Sequence, residues 1–337
     1  MSDILVLITL PFPERLIERL QAVSPRLQVQ VRPVSSADEL PADVLSEVEV
    51  LYTQRVLPEP ESVPNLRWIQ FHFAGVDHAE GHSLLRSKVQ VTTLSGAAMP
   101  QMAEFAMMSI LALGRRLPAI TAERAKKRWA EDRFQRFQPV EVRDSTVGVV
   151  GYGSIGREIA RLCKAFGAQV LATKRDLMHI ADESYAREGL GDRSGDLVDR
   201  LYPPQALGSM VSLCDFVVVT VPLTPETRGM VNRVILSKMK PTAFLIDISR
   251  GGVVDHGALI EALSEKKLAG AALDVYPVEP LPESSPLWEM PGVILSPHIA
   301  GASGRYFERA ADLFAENLQR YVAGRPLLNR YEPERGY

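Results

Sequence analysis

Ten residues near the middle of the chain, Val147-Gly148-Val149-Val150-Gly151-Tyr152-Gly153-Ser154-Ile155-Gly156, set an apolar run directly before a glycine turn. A helical pattern, Arg157 to Phe166, follows at once. That order suits a dinucleotide. Gly151 allows the tight turn, Gly153 lets backbone approach a pyrophosphate, and Gly156 lets helix and strand pack closely. The helix start, with Ser154 and Ile155 in its first turn, offers free N–H groups and a positive dipole end to phosphates. A glycine turn with no ligand is the alternative, and the flanking strand and helix argue against it.

The adenosine end of such a ligand meets the next strand about 20 residues on, where a carboxylate normally bonds the ribose of NAD. This chain has Thr173-Lys174-Arg175-Asp176 there. Lys174 occupies the acidic position. Two cations, with the Thr173 hydroxyl as a further donor, suit the 2′-phosphate of NADP. The alternative is that both cations face solvent and Asp176 turns inward to bind the ribose of NAD. The reading here favours NADP over NAD.

Three strand candidates in the last third end in polar residues: Ile248-Ser249-Arg250-Gly251-Gly252, Asp274 to Pro280, and Ser296-Pro297-His298-Ile299-Ala300-Gly301. In a doubly wound sheet, ligands bind beyond the carboxyl ends of the strands. Arg250, Glu279 and His298 can therefore share one crevice with the cofactor. A guanidinium can bridge the carboxylate and carbonyl of a 2-oxo acid, orienting it and polarising the C=O. Imidazole titrates near neutral pH, so His298 suits proton transfer to the developing alkoxide. Glu279 is the carboxylate that would orient the ring and favour its protonated form. Taken singly, each also reads as an ordinary surface or loop residue. His72, in Phe71-His72-Phe73, lies where it can touch substrate; the other histidines read as surface or loop residues. No His, Cys and carboxylate cluster has metal-site spacing, so no metal is expected.

The elements that must position these residues follow from patterning. Ile4 to Ile8, Leu27 to Val31, Val48 to Tyr52, Leu66 to Gln70 and Val89 to Thr93 read as strands among helical segments. A second alternation runs through Thr146 to Val150, Val170 to Thr173, Phe216 to Val221, Ala243 to Ile248, Ala271 to Val275 and Val293 to Ser296. Alternating strand and helix implies parallel sheets with right-handed crossovers. Met99 to Leu113 is apolar nearly all round and reads as a buried helix, between domains or subunits. The cations of residues 114–136 read as a solvated face, or alternatively as the lining of an anionic cleft. Residues 177–209 carry no strong strand pattern and read as a surface insertion with a short helix. Arg305 to Val322 reads as an amphipathic helix.

With 337 residues, 46% hydrophobic and 23% charged, the chain is long enough for two packed domains and is neither disordered nor fibrous. The net charge of −3 argues against a nucleic-acid partner. No apolar run approaches the roughly 18 residues of a membrane span. Met1-Ser2-Asp3 lacks the basic flank of a signal peptide, so a cytoplasmic location is expected. Cys163 and Cys214 lie in apolar segments and read as reduced core thiols.

Gly-Tyr-Gly-Ser-Ile-Gly at 151–156, Pro-Leu-Thr-Pro-Glu-Thr at 222–227, Ser-Arg-Gly-Gly at 249–252, Asp-Val-Tyr-Pro-Val-Glu-Pro at 274–280 and Ser-Pro-His-Ile-Ala-Gly at 296–301 occur in this order. Over essentially its whole length the chain thus resembles the D-isomer-specific 2-hydroxyacid dehydrogenases. The resemblance implies an α/β fold of two Rossmann-like domains. A doubly wound nucleotide-binding domain, 99–298, would be inserted into a flavodoxin-like substrate domain built from 1–98 and 299–337. It implies hydride transfer between NAD(P)H and a small 2-oxo or D-2-hydroxy acid, such as glyoxylate or hydroxypyruvate. Arg250, Glu279 and His298 match its catalytic residues, and Gly75-Val76-Asp77 its early loop. Ala74, Gly75 and Val76 would then hold the substrate carboxylate with Arg250. Val221, Pro222, Thr227, Ile248 and Asp274 would line the cofactor, Asp274 at the nicotinamide carboxamide. A homodimer through the nucleotide domain is implied. The family fold also occurs in corepressors that bind NAD(H), so a dinucleotide-sensing protein without turnover is the alternative reading. Lys174 and the long 177–209 stretch depart from the family's usual pattern.

Overall fold

The computed structural model describes residues 3–182 and 184–333. Met1 and Ser2, Glu183 of the 177–209 stretch, and residues 334–337 of the expected substrate domain lie outside the described residues. The chain divides into two compact units. The first comprises Met1–Ala98, Ser184–Ala186 and Ser303–Tyr337, and the second Met99–Glu183 and Arg187–Ala302, both read over the described residues.

The first unit holds five strands: β1 (Ile4–Ile8), β2 (Leu27–Val31), β3 (Val50–Thr53), β4 (Trp68–Phe71) and β5 (Gln90–Thr92). They form one parallel sheet in the order β2-β1-β3-β4-β5. β1, β3 and β4 are buried along their whole length, as covered parallel strands must be. The helix Tyr306–Val322 buries Ala310, Ala311, Phe314 and Leu318 against Trp68 and Tyr52, so its expected apolar side is its packed side.

The second unit holds β6 (Thr146–Val150), β7 (Gln169–Thr173), β8 (Arg200–Tyr202), β9 (Phe216–Val219), β10 (Phe244–Asp247), β11 (Gly270–Leu273) and β12 (Val293–Leu295). Their order is β12-β11-β10-β9-β6-β7-β8, every pair parallel. Alternate residues serve two cores. Val147, Val149, Phe216, Val218, Phe244 and Ile246 meet Ala103, Ala106, Met107, Ile110 and Leu113 of the helix Met99–Gly114. Val150, Val217, Val219, Leu245 and Leu273 face the opposite core. The helix is uniformly apolar because most of its circumference is covered. Both cysteines are free and buried.

One expectation needs revision. The 177–209 stretch does contain a strand: β8 pairs with β7 as the last strand of the sheet, with Leu171 opposite Arg200 and Thr173 opposite Tyr202. A three-residue edge strand is too short to show alternation. Nor is the stretch loosely placed. Asp192 is buried and accepts hydrogen bonds from the hydroxyl of Tyr152 and the N–H groups of Gly195, Asp196 and Leu197. Arg157, 2% exposed, donates to the carbonyls of Asp192 and Ile180. The cations of 114–136 form the expected solvated face, and three of them, Lys126, Arg128 and Arg136, also reach buried Glu123 at 3.5, 3.3 and 3.2 Å. Among the described residues no single helix is long and apolar enough to cross a membrane.

Candidate active site

The strand order of the second unit reverses between β6 and β9, and the glycine turn follows β6 at this reversal. Open crevices form at such switch points. The Thr220 hydroxyl donates to the Gly151 carbonyl at 2.9 Å and pins the turn to the end of β9. A Cβ on Gly156 would collide with that same carbonyl, while one on Gly153 would meet no atom within 4 Å. Gly153 also precedes the helix Ser154–Ala165 without any side-chain cap. The turn therefore fits a pyrophosphate: close packing on one side, open backbone on the other, and a helix start behind it. Ser154 and Ile155 are half-buried in its first turn. Tyr152 contributes only backbone, because its ring is buried beneath the Arg157 guanidinium and its hydroxyl is bound to Asp192.

At the end of β7, Thr173 is buried and accepts from the Gly151 N–H at 3.0 Å. It braces the turn through its hydroxyl oxygen. Lys174 is half-buried and Arg175 exposed. Burial, then the charge of Arg157, lower the Lys174 ammonium below its ordinary value, partly offset by Asp182 and Asp176. The Asp176 carboxylate faces its own turn: it accepts from Met178 N–H at 2.9 Å and His179 N–H at 3.2 Å, and pairs with the His179 ring at 2.7 Å. On the other side of the switch, Val221 and Pro222 are half-buried, and the Thr227 hydroxyl donates to the Pro222 carbonyl at 2.6 Å, bracing that loop. Ile248 is buried at the end of β10, so backbone is what it can present to a ligand.

Arg250, Glu279 and His298 all belong to the second unit and follow β10, β11 and β12. His298 Nδ1 and Glu279 Oε2 lie 2.8 Å apart. Glu279 Oε1 accepts from Tyr276 N–H at 3.0 Å, so one oxygen fixes its loop and the other holds the imidazole. Partial burial would raise the Glu279 carboxyl. The bonds from His298 and Tyr276 N–H, together with the charges of His298 and Arg250, prevail and hold it below its ordinary value. Arg250 is half-buried, and its guanidinium donates to the Ser249 carbonyl at 2.9 Å. The next residue must be glycine: a Cβ on Gly251 would collide with the Tyr276 carbonyl, so only Gly lets the Arg250 turn close on the Glu279 loop.

Asp274 directly follows β11. It is buried, and its oxygens accept from Ser296 Oγ at 2.6 Å and from the N–H groups of Ile299 and Ala300, each at 2.8 Å. Those bonds hold the turn that carries His298. Asp247, Ser249, Tyr276 and Ser296 also build the site, and sequence reasoning missed them. Their one signal was position, since each stands at or just beyond a strand end. Ala74, Gly75 and Val76 follow β4 in the first unit, where Val76 is buried and Leu94 N–H donates to the Phe73 carbonyl at 3.0 Å. Among the described residues no group of three or more His, Cys or carboxylate side chains is placed to hold a metal.

Residues 107–300 match the model of the D-isomer specific 2-hydroxyacid dehydrogenase NAD-binding domain. The chain belongs to the D-isomer-specific 2-hydroxyacid dehydrogenase family. A glyoxylate reductase of Thermococcus gammatolerans is 33% identical over 331 residues, covering 95% of this chain and 93% of the relative. A D-isomer specific 2-hydroxyacid dehydrogenase of Xanthobacter autotrophicus, solved with NADPH and MES, is 30% identical with a TM-score of 0.79 and full coverage of both chains. An NADPH-dependent glyoxylate/hydroxypyruvate reductase of Sinorhizobium meliloti, solved with NADP and sulfate, is 27% identical with a TM-score of 0.78, covering 99% of this chain and 100% of that one. The chain is thus an NAD(P)-dependent oxidoreductase interconverting 2-oxo and D-2-hydroxy acids, and a sensing protein without turnover is not favoured.

Proposed function

We propose that this dehydrogenase reduces a small 2-oxo acid such as glyoxylate or hydroxypyruvate, with Arg250, Glu279 and His298 as its catalytic residues and NADP as its preferred cofactor. The observation that carries the reading is the His298–Glu279 pair at 2.8 Å with the Arg250 turn packed against the Glu279 loop. The bound dinucleotide supplies hydride to the substrate C2, or accepts it in oxidation. The guanidinium of Arg250 binds the substrate carboxylate and polarises the adjacent carbonyl. Backbone N–H groups of the Ala74-Gly75-Val76 loop are the carboxylate donors we assign to the first unit, the substrate domain. His298 donates the proton that the new alkoxide needs. In oxidation it accepts that proton. Glu279 holds the imidazole through Nδ1, which leaves Nε2 for the substrate oxygen. The second unit holds the dinucleotide through residues 151–156, Val221, Pro222, Thr227 and the end of β10 at Ile248. Asp274 acts through the His298 turn.

NADP is favoured because Lys174 and Arg175 stand at the strand end while the Asp176 carboxylate is occupied by its own turn. The Xanthobacter and Sinorhizobium relatives were solved with NADPH and NADP. We further read the protein as a cytoplasmic homodimer. The deciding experiment is a steady-state screen of glyoxylate, hydroxypyruvate, pyruvate and larger 2-oxo acids with NADPH and NADH. Arg250→Lys should raise KM and lower kcat together, because the planar fork is lost while the charge remains. No turnover with any 2-oxo acid, or an Arg250→Lys variant altered only in dinucleotide affinity, would overturn the assignment.

A further inference from the structure

Two carboxylates close the central strands of the nucleotide sheet beneath the catalytic turns. Asp247 is the last residue of β10, and Asp274 directly follows β11, its neighbour; the Asp274 N–H donates to the Asp247 carbonyl at 3.0 Å. Their exposures are 0% and 1%. Each holds one turn. Asp274 accepts three donors from the His298 turn, on both of its oxygens. Asp247 accepts two donors from Ser249, its N–H at 3.0 Å and its hydroxyl at 2.5 Å, both on Oδ1. Ser249 in turn binds the Arg250 guanidinium through its carbonyl. The second oxygen of Asp247, Oδ2, is buried without any hydrogen-bond partner.

A carboxylate wholly buried with one oxygen that no donor serves is costly to ionise, and the proton belongs on that oxygen. We propose that Asp247 is a positioning residue for the Arg250 turn, kept as a neutral buried acid. Its neutrality matters for Arg250, three residues on: a charged Asp247 would compete with the substrate carboxylate for the guanidinium. Burial, opposed by the two Ser249 bonds and supported by the Asp274 charge, pushes the Asp247 carboxyl up to about 7. Burial, with the charges of Asp274, Glu279 and Asp247, raises the Tyr276 hydroxyl, which is spent on the carbonyls of Leu273 and Ser296. His256 is buried with its ring against Tyr276, and burial lowers its imidazole below its ordinary value. β9 carries no titratable side chain.

The proposal rests on Arg250 as the substrate anchor, so one readout must be independent of activity. Infrared spectra of the wild-type protein at pH 6 should contain a protonated-carboxyl band that disappears in Asp247→Asn. Across the window from the ordinary aspartate value up to about 7, the native state holds a proton that the unfolded chain releases. Wild-type stability should therefore fall as pH rises through that window, and Asp247→Asn should lack this part of the slope. Kinetically, Asp247→Ala should raise KM for the 2-oxo acid about tenfold or more with little change in dinucleotide Kd, and Asp247→Asn should recover most of that loss. Identical infrared spectra and identical pH–stability slopes for wild type and Asp247→Asn would overturn the proposal. So would an Asn variant as impaired as the Ala variant, since that would show the charge was required. If Asp247→Ala fails to fold, the infrared and stability comparison with Asn still decides. A failure of the Arg250 assignment alone would leave the infrared band in place.

Discussion

His298 adopts φ 54°, in the left-handed region that costs a non-glycine residue roughly 1–2 kcal/mol. The three bonds to Asp274 offset that cost, and the ring is thereby delivered to Glu279. Replacing the imidazole should remove proton transfer and little else. His298→Ala should lower kcat about 10²–10⁴-fold while dinucleotide binding, read by fluorescence titration, changes far less. Near wild-type turnover would remove His298 from the mechanism. Glu279→Gln keeps a side chain of the same shape but discards the charge paired with the ring at 2.8 Å. It should lower kcat for reduction with dinucleotide Kd little changed, and an unchanged kcat would mean that the Glu279 charge does no work in catalysis.

The element we propose to decide cofactor choice is the end of β7. Lys174 N–H donates to the Tyr202 carbonyl at 3.0 Å, so edge strand β8 fixes the backbone from which Lys174 and Arg175 project. A charge-assisted contact to a 2′-phosphate is worth about 1.5–3 kcal/mol, roughly tenfold or more in preference. Wild-type kcat/KM should favour NADPH, and Lys174→Ala and Arg175→Ala should each erode the ratio. A native preference for NADH untouched by both substitutions would show that the strand end does not read the ribose. The stretch between β7 and β8 is held by a different device. Asp192 gathers one hydroxyl and three N–H groups, and the carbonyls of Asp192 and Ile180 take the Arg157 guanidinium. Asp192→Ala should therefore cost about 2–4 kcal/mol, because it strands buried donors, and denaturant unfolding would measure it. A loss under about 0.5 kcal/mol, the scale of ordinary surface changes, would mark the clip as dispensable.

At the scale of the whole molecule, the second unit leaves large apolar side chains uncovered within one stretch of chain. Trp129 is 84% exposed and Phe134 80%, and Met108, Leu117 and Ile120 are exposed in the helices before them. Exposed apolar clusters of this kind mark association surfaces. A second copy is the occupant consistent with the homodimer proposed above. Sedimentation should give a dimer for the wild type and a monomer for Trp129→Glu combined with Phe134→Glu, with the far-UV spectrum retained. A monomeric wild type would rule out this surface as a self-association site.

What the sequence by itself determined is local. Val147 to Gly156 joins an apolar strand, a glycine turn and a helix start within ten residues, and those signals need no distant partner to be read. The apolar runs of β6, β9 and β10 are equally self-contained, because a strand buried on both faces carries its environment in its composition. The positions of Arg250, Glu279 and His298 were legible because each follows such a run. Only the tertiary structure decided what these residues meet. His298 and Glu279 are 19 residues apart in sequence, Asp274 and Ala300 are 26 apart, and Tyr152 and Asp192 are 40 apart. Hydrogen bonds across such separations leave no periodicity. Asp176 could have turned toward the ribose or toward its own turn, and three donors within the next three residues decided it. β8 is a strand only because β7 offers it an edge. Asp247 is buried only once β10 lies between β9 and β11, and burial, which no single residue encodes, then sets the charge it can carry.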